Sequence, residues 1–223
     1  MIATETTLDA AEHMAYDEAL LVGSPANSLI LRFFRWAGPA TTFGYSQSYD
    51  SACAAARERR LDGPVIRRAT GGGVVFHDGD VTFSILFPWP ELSSPCVVYK
   101  NIHRGVHLGL KAIGLKSRLW SGAPAPGGLE KACFAAPEPM DVVDDDGGKI
   151  LGGALRRKAS RGLYQGSLRP EVFGRPAEEL ESAIANGIEL EFGRIPEEPR
   201  GEWLADLEGL TERYRSERWN RRR

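Results

Sequence analysis

The sequence predicts an α+β fold: a mainly antiparallel or mixed sheet with flanking helices. Short runs rich in β-branched and aromatic residues follow one another in hairpin-like succession, with few crossover helices between them. That order disfavours a parallel, doubly wound nucleotide-binding sheet. Helical spacing of apolar residues is confined to a few windows, and no internal repeat or low-complexity tract appears.

The first helix is expected over residues 8–22, where Leu8, Ala11, Met14, Ala15 and Ala19 fall at helical spacing behind Thr6, a candidate cap three residues before Asp9. Residues 29–36 and 41–45 read as two strands around a turn at Gly38-Pro39. Residues 48–59 carry a helix-favouring mixture of Ala, Arg and Glu. Strands over 65–68 and 74–77 flank Gly71-Gly72-Gly73, and a third covers 80–87. A helix over 99–113 puts Ile102, Val106, Leu110 and Ile113 on one face. Gly, Ala and Pro make 121–128 an exposed loop, and strands are expected near 140–144, 149–156 and 162–168. From about residue 176 the chain reads as a helical tail punctuated by Pro196 and Pro199, with its last three arginines frayed and solvated. The whole of 1–223 is expected to be one domain.

Twenty-eight basic and thirty acidic residues leave a formal net charge of -2, so no global field selects nucleic acid or an anionic membrane. No apolar run approaches the roughly 20 residues a bilayer span needs; even 83–89 is broken by Ser84 and Pro88. Cys53, Cys96 and Cys133 are an odd number with no apolar signal segment before them, which predicts reduced thiols in a cytoplasmic protein. His103 and His107 stand four residues apart, but no glutamate follows His103 and no third ligand is evident, so no metal site is expected. The basic stretch 215–223, with Trp219 as its single aromatic, reads as a solvated helix end rather than a nucleic-acid surface.

The segment RRATGGGVVFHDGDVTFSI, residues 67–85, carries the most chemistry. Adjacent glycines let backbone N–H groups converge on an anion or a carbonyl because no β-carbon blocks the approach. Arg67 and Arg68 add fixed charge and forked donors beside them. By composition alone the glycines read first as a plain flexible turn.

This segment resembles the arginine, triple-glycine and histidine signature of lipoate-protein ligases and octanoyltransferases. A second motif, GGKILGGALRRKASRGLYQGSL at 147–168, resembles the family's lysine-containing strand pair. Weaker similarity lies in 13–18 and in 34–47, so the resemblance covers roughly residues 10–170. It implies a fold of the class II biotin and lipoyl ligase type. It also implies that Arg68, Gly71, Gly72, Gly73, His77, Gly152 and Ala154 bind substrate, and that Lys149 meets the carboxyl or thioester oxygen. An ammonium there stabilises negative charge developing on the acyl oxygen.

Cys133, within Ala132-Cys133-Phe134, resembles the cysteine loop of octanoyltransferases that work through an acyl-enzyme. Its thiolate would attack a thioester donor and release the acyl chain to a lysine amine, with Lys149 lowering the thiol pKa. By residue type alone Cys133 could instead be a small buried hydrophobe.

The resemblance therefore implies octanoyl or lipoyl transfer from a donor such as acyl carrier protein. The acceptor would be a lysine of a lipoyl carrier domain, either the E2 subunit of a 2-oxoacid dehydrogenase or the glycine cleavage H protein. Such transfer requires no cofactor. The alternatives are an ATP-dependent ligase using magnesium and a lipoyl-AMP intermediate, and a non-catalytic acyl-binding protein. Three positions depart from the family pattern: Gly153 for serine, Leu155 for glutamine and Gln165 for histidine. An acidic insertion, Asp144-Asp145-Asp146, precedes Lys149.

Overall fold

The computed structural model describes residues 7–123 and 137–222. Strand β1 (Thr7–Leu8) leads into helix α1 (Ala10–Gly23). The helix is capped by Asp9 rather than Thr6: the Asp9 carboxylate accepts from Glu12 N at 2.9 Å, and the Glu12 carboxylate accepts from Asp9 N at 2.8 Å. This reciprocal capping box satisfies two amides that have no partner inside the helix. Next come β2 (Ile30–Phe33), β3 (Arg35–Trp36), β4 (Ala40–Phe43), α2 (Tyr49–Glu58), β5 (Val65–Arg67), β6 (Val74–His77) and β7 (Val81–Pro88). Helix α3 (Pro95–Ala112) precedes β8 (Arg118–Leu119), β9 (Val142–Val143), β10 (Lys149–Lys158) and β11 (Arg161–Leu168). Helices α4 (Ala177–Phe192), α5 (Leu207–Arg215) and α6 (Glu217–Asn220) follow.

The main sheet has the order β2-β7-β11-β10-β9-β8 with antiparallel pairing throughout. A smaller sheet has the order β5-β4-β6, with β4 antiparallel to β6 and parallel to β5. The two strands expected around Gly38-Pro39 are therefore not partners. β2 joins the main sheet and β4 the small one, while β3 pairs in parallel with β1. Breaking the run at Phe34 sends the chain from one sheet to the other, and that tertiary choice is invisible to strand composition.

The strand alternation of β7 assigns its two faces. Val81, Phe83, Ile85 and Phe87 point into the main apolar cluster with residues of α3 and α4, while Thr82, Ser84 and Leu86 take the opposite face. The two helices pack backbone to backbone: a β-carbon on Gly109 would stand 1.9 Å from Ala183 O, so only glycine allows this approach. On the other face, Leu20 and Leu21 of α1 pack with Ile30, Leu86 and Leu163. Among the described residues no helix is long and apolar enough to cross a membrane.

Candidate active site

A cavity with about 400 Å³ of empty space, its mouth included, lies between the small sheet and the polar face of the main sheet. Met14, Phe34, Trp36 and Val75 supply apolar wall; Thr42, Arg68 and His77 come from the small sheet and the loop beside it; Gly152, Ala154, Gln165 and Ser167 come from β10 and β11. Register explains the last group, because Gly152 pairs with Ser167 and Ala154 with Gln165, so these four residues share one face.

Arg68 organises the glycine loop from within. Its Nη2 donates to the carbonyls of Gly71 (2.8 Å) and Gly73 (3.0 Å), and its Nη1 donates to Thr42 Oγ1 at 2.9 Å. Gly72 holds φ +83°, a left-handed conformation that glycine adopts without strain. A β-carbon on Gly44, at the end of β4, would stand 1.9 Å from Gly72 O, so the loop lies directly on that strand. The chain turns in this way because a charged fork is available to two loop carbonyls at once.

Beyond Arg68 the polar contacts continue. Thr42 Oγ1 lies 2.7 Å from His77 Nε2, and His77 Nδ1 lies 2.9 Å from Asp80 Oδ2. The same carboxylate oxygen accepts from Thr82 and Ser167, both at 2.6 Å. Burial works to raise the Asp80 pKa, but the neighbouring His77 and these three hydrogen bonds outweigh it and hold the carboxyl below its usual range. Trp36 stacks on His77 with ring centroids 4.1 Å apart and donates its indole N–H to Thr82 Oγ1 at 3.1 Å.

A second arm runs from Arg68 Nε to Thr70, from Thr70 Oγ1 to Gln165 Oε1 at 2.7 Å, and from Gln165 Nε2 to Asp17 Oδ2 at 2.7 Å. Asp17 is ion-paired with Arg32 at 2.6 Å, and the Arg32 guanidinium reaches His13 Nδ1 at 2.6 Å. Burial, reinforced by the charge of Arg32, lowers the His13 pKa to about 3, so His13 is neutral and accepts from Arg32.

Five of the residues expected to bind substrate, Arg68, Gly72, His77, Gly152 and Ala154, thus border one cavity. Gly71 and Gly73 contribute through the carbonyls held by Arg68. Lys149 is not among the lining residues: it is buried, with Nζ 2.8 Å from Asp141 Oδ2, and Asp141 Oδ1 also accepts from Tyr99 Oη of α3 at 2.6 Å. Cys133 lies outside the described residues.

Arg67, although adjacent to Arg68, has a separate task. It is buried and donates to the carbonyls of Tyr45, Gln47, Trp219, Asn220 and Arg222. Of the three arginines expected to be frayed, two are tied in here, since the Arg222 carbonyl closes this cage and Arg221 pairs with Asp50; Arg223 lies outside the described residues.

Sequence reasoning singled out neither Thr42, Trp36, Ser167 nor Asp80. The alternation T-x-S in β7 and Q-x-S in β11 was the available signal, because polar residues facing inward on a buried sheet require partners. Two departures from the family pattern find local reasons. At Gly153 a β-carbon would meet the Tyr164 hydroxyl at 2.2 Å, and Gln165 spans Thr70 and Asp17. Leu155 is half-buried against the main apolar cluster.

The sequence model of the lipoyl protein ligase A/B catalytic domain matches residues 9–184. The chain belongs to this family. Among curated relatives, the octanoyltransferase LipM of Carboxydothermus hydrogenoformans is 33% identical over 163 residues, which are 71% of this chain and 60% of that protein. The LipM of Staphylococcus aureus is 25% identical over 259 residues, 93% of this chain and 92% of that protein. Over the first three relatives, this lipoyl ligase-family chain spans 60–61% of their length. Among solved structures, a T. acidophilum protein with bound lipoic acid superposes with a TM-score of 0.80 at 21% identity, covering 99% of this chain and 97% of that one. Lipoate-protein ligase A bound with ATP gives 0.76 at 19% identity, covering 99% and 98%. These structures share the fold, which is the α+β architecture of the lipoate ligases.

Proposed function

We propose that this protein transfers an octanoyl or lipoyl group from a thioester donor to a lysine of a lipoyl carrier domain, through an acyl-enzyme on Cys133. The observation that carries this reading is the chain's similarity to octanoyltransferases, in a family whose two motifs border one cavity here. Residues 1–223 act as one catalytic domain with a helical C-terminal part from about residue 176. Arg68, Gly71, Gly72, Gly73, His77, Gly152 and Ala154 shape the acyl site.

In this mechanism the Cys133 thiolate attacks the donor carbonyl, and the carrier thiol leaves with a proton. The lysine amine then attacks the new thioester, an amide forms, and the Cys133 thiolate is regenerated. Lys149 supplies positive charge for the thiolate and the developing oxyanion; its buried pairing with Asp141 supports a charged ammonium rather than a free base. Amide formation from a thioester runs downhill, so no nucleotide is required. Acyl carrier protein suits the donor role, and a dehydrogenase E2 lipoyl domain or the H protein the acceptor role. One of the neighbouring structures is a two-part archaeal lipoate ligase and its E2 lipoyl domain.

The second reading is an ATP-dependent lipoate ligase, favoured by the fold shared with a ligase that binds ATP. The lipoate carboxylate would then attack the α-phosphorus of ATP and pyrophosphate would leave, giving lipoyl-AMP, with magnesium offsetting charge and the glycine loop and Lys149 beside the α-phosphate. Incubation with octanoyl-acyl carrier protein without ATP, followed by intact mass measurement, separates the two. An octanoyl adduct that disappears in Cys133→Ser supports the acyl-enzyme. No adduct, together with adenylate formation from lipoate and ATP, supports the ligase.

A further inference from the structure

We propose that Asp80 is a positioning residue that fixes His77 as its Nδ1–H tautomer, and through His77 and Thr42 sets the orientation of Arg68 in the cavity wall. Hydrogen-bond accounting carries the assignment. Asp80 Oδ2, as a carboxylate oxygen, only accepts, and it faces three groups: Thr82 Oγ1 and Ser167 Oγ at 2.6 Å, and His77 Nδ1 at 2.9 Å. His77 Nδ1 must therefore carry a proton. In the neutral ring Nε2 is then a lone pair, and the group 2.7 Å away is the Thr42 hydroxyl, which must donate to it.

With its only proton committed to His77, Thr42 Oγ1 is free to accept, and Arg68 Nη1 donates to it at 2.9 Å. The chain of donation runs one way, from Arg68 to Thr42 to His77 to Asp80, and no member meets a like group. Trp36 secures the geometry from the side by stacking on His77 and donating to Thr82. The other nitrogen of the Arg68 fork grips Gly71 and Gly73, so the direction set at Asp80 reaches the glycine loop.

Without Asp80 the ring has no strong acceptor at Nδ1 and can move its proton to Nε2. Thr42 would then face two donors, Arg68 Nη1 and His77 Nε2–H, and its own proton would have to turn away from the ring. Arg68 then shares the Thr42 lone pairs with a second donor, so the direction of its Nη1 arm is no longer fixed, while Nη2 stays on Gly71 and Gly73.

The test is long-range proton–nitrogen NMR of the full chain. It holds four histidines, and the His77→Gln spectrum identifies the His77 signals. The wild type is expected to show His77 as Nδ1–H, Asp80→Ala to show Nε2–H, and Thr42→Val to keep Nδ1–H, because only the Nε2 partner is removed. An Nε2–H wild type, a folded Asp80→Ala that stays Nδ1–H, or a Thr42→Val that switches would each overturn the assignment. The wild-type and Thr42→Val spectra still test the tautomer and its independence of Thr42 if Asp80→Ala does not fold, and Asp80→Leu, which keeps the volume and removes the acceptor, then tests Asp80.

The effect on acyl transfer rests on the proposed function: KM for the acyl donor should rise about tenfold in Asp80→Ala with kcat changed less. An unchanged KM beside a switched tautomer would overturn the link to Arg68. A wild type that transfers no acyl group would sink the functional reading and leave the tautomer result standing.

Discussion

The ring of Tyr164 lies against the backbone of Gly153: a β-carbon there would stand 2.2 Å from the Tyr164 hydroxyl and 2.3 Å from its ring. Tyr164 is fully buried, and its hydroxyl is 2.8 Å from His103 Nε2. Glycine at this position on β10 thus leaves the space that the tyrosine ring of β11 fills, although in register Gly153 pairs with Gly166 and Tyr164 with Leu155. Gly153→Ala should destabilise the fold by about 1–3 kcal/mol through overpacking. Combining it with Tyr164→Leu should cost less than the sum of the single changes. Urea denaturation of the four proteins of this cycle measures the coupling; strict additivity would show that the two residues do not compete for space.

Acid should weaken the fold at two buried histidines. Burial lowers His103 to about 4, and burial together with Arg32 lowers His13 to about 3. Both rings are neutral when folded and take up a proton below about 6.5 when unfolded. Over that interval the unfolded chain binds more protons, so the stability present above about pH 6.5 is lost as pH falls towards 4. A tenfold difference in proton affinity between the folded and unfolded chain corresponds to about 1.4 kcal/mol, giving a loss on the order of 3 kcal/mol per histidine. Urea midpoints at about pH 7.5 and about pH 5 check the direction. His103→Gln should flatten the slope, and an equal midpoint at both pH values would contradict the prediction.

Arg67 holds the end of the chain to the start of the glycine loop. Arg67→Met strands five buried or partly buried carbonyls, and a loss of about 3 kcal/mol or more is expected from the charge-assisted hydrogen bonds lost and the acceptors left unpaired. Arg67→Lys should rescue little, since an ammonium offers three donors and no planar fork. Thermal denaturation compares the three proteins. A lysine variant as stable as the wild type would mean the cage needs charge and not geometry.

Gln165 links the glycine loop to α1. Gln165→Leu removes the group between Thr70 and Asp17 and should cost about 1–3 kcal/mol for the buried polar atoms left unpaired. Gln165→His, which restores the residue common in the family and offers one donor and one acceptor, should lose less. Calorimetry orders the three proteins, and a leucine variant more stable than the histidine one would refute the bridging role.

Which element types form, and in what order, was legible in the sequence because turns, caps and apolar periodicity act over a few residues. The helix expected over 99–113 is found as Pro95–Ala112, starting a turn earlier behind the Ser94 cap, and the strand expected over 162–168 lies within Arg161–Leu168. The triple glycine, Arg68 and His77 were legible for the same reason, since their motif is continuous. Tertiary structure alone decided which polar side chains meet. Thr70 reaches Gln165 across 95 positions, and Arg67 reaches Asn220 across 153. It also decided that two neighbouring arginines take different work, Arg68 in the cavity wall and Arg67 in a carbonyl cage. Successive side chains of an extended segment point to opposite sides, so adjacent identical residues meet different surroundings, and only the packing of distant segments determines what those surroundings are.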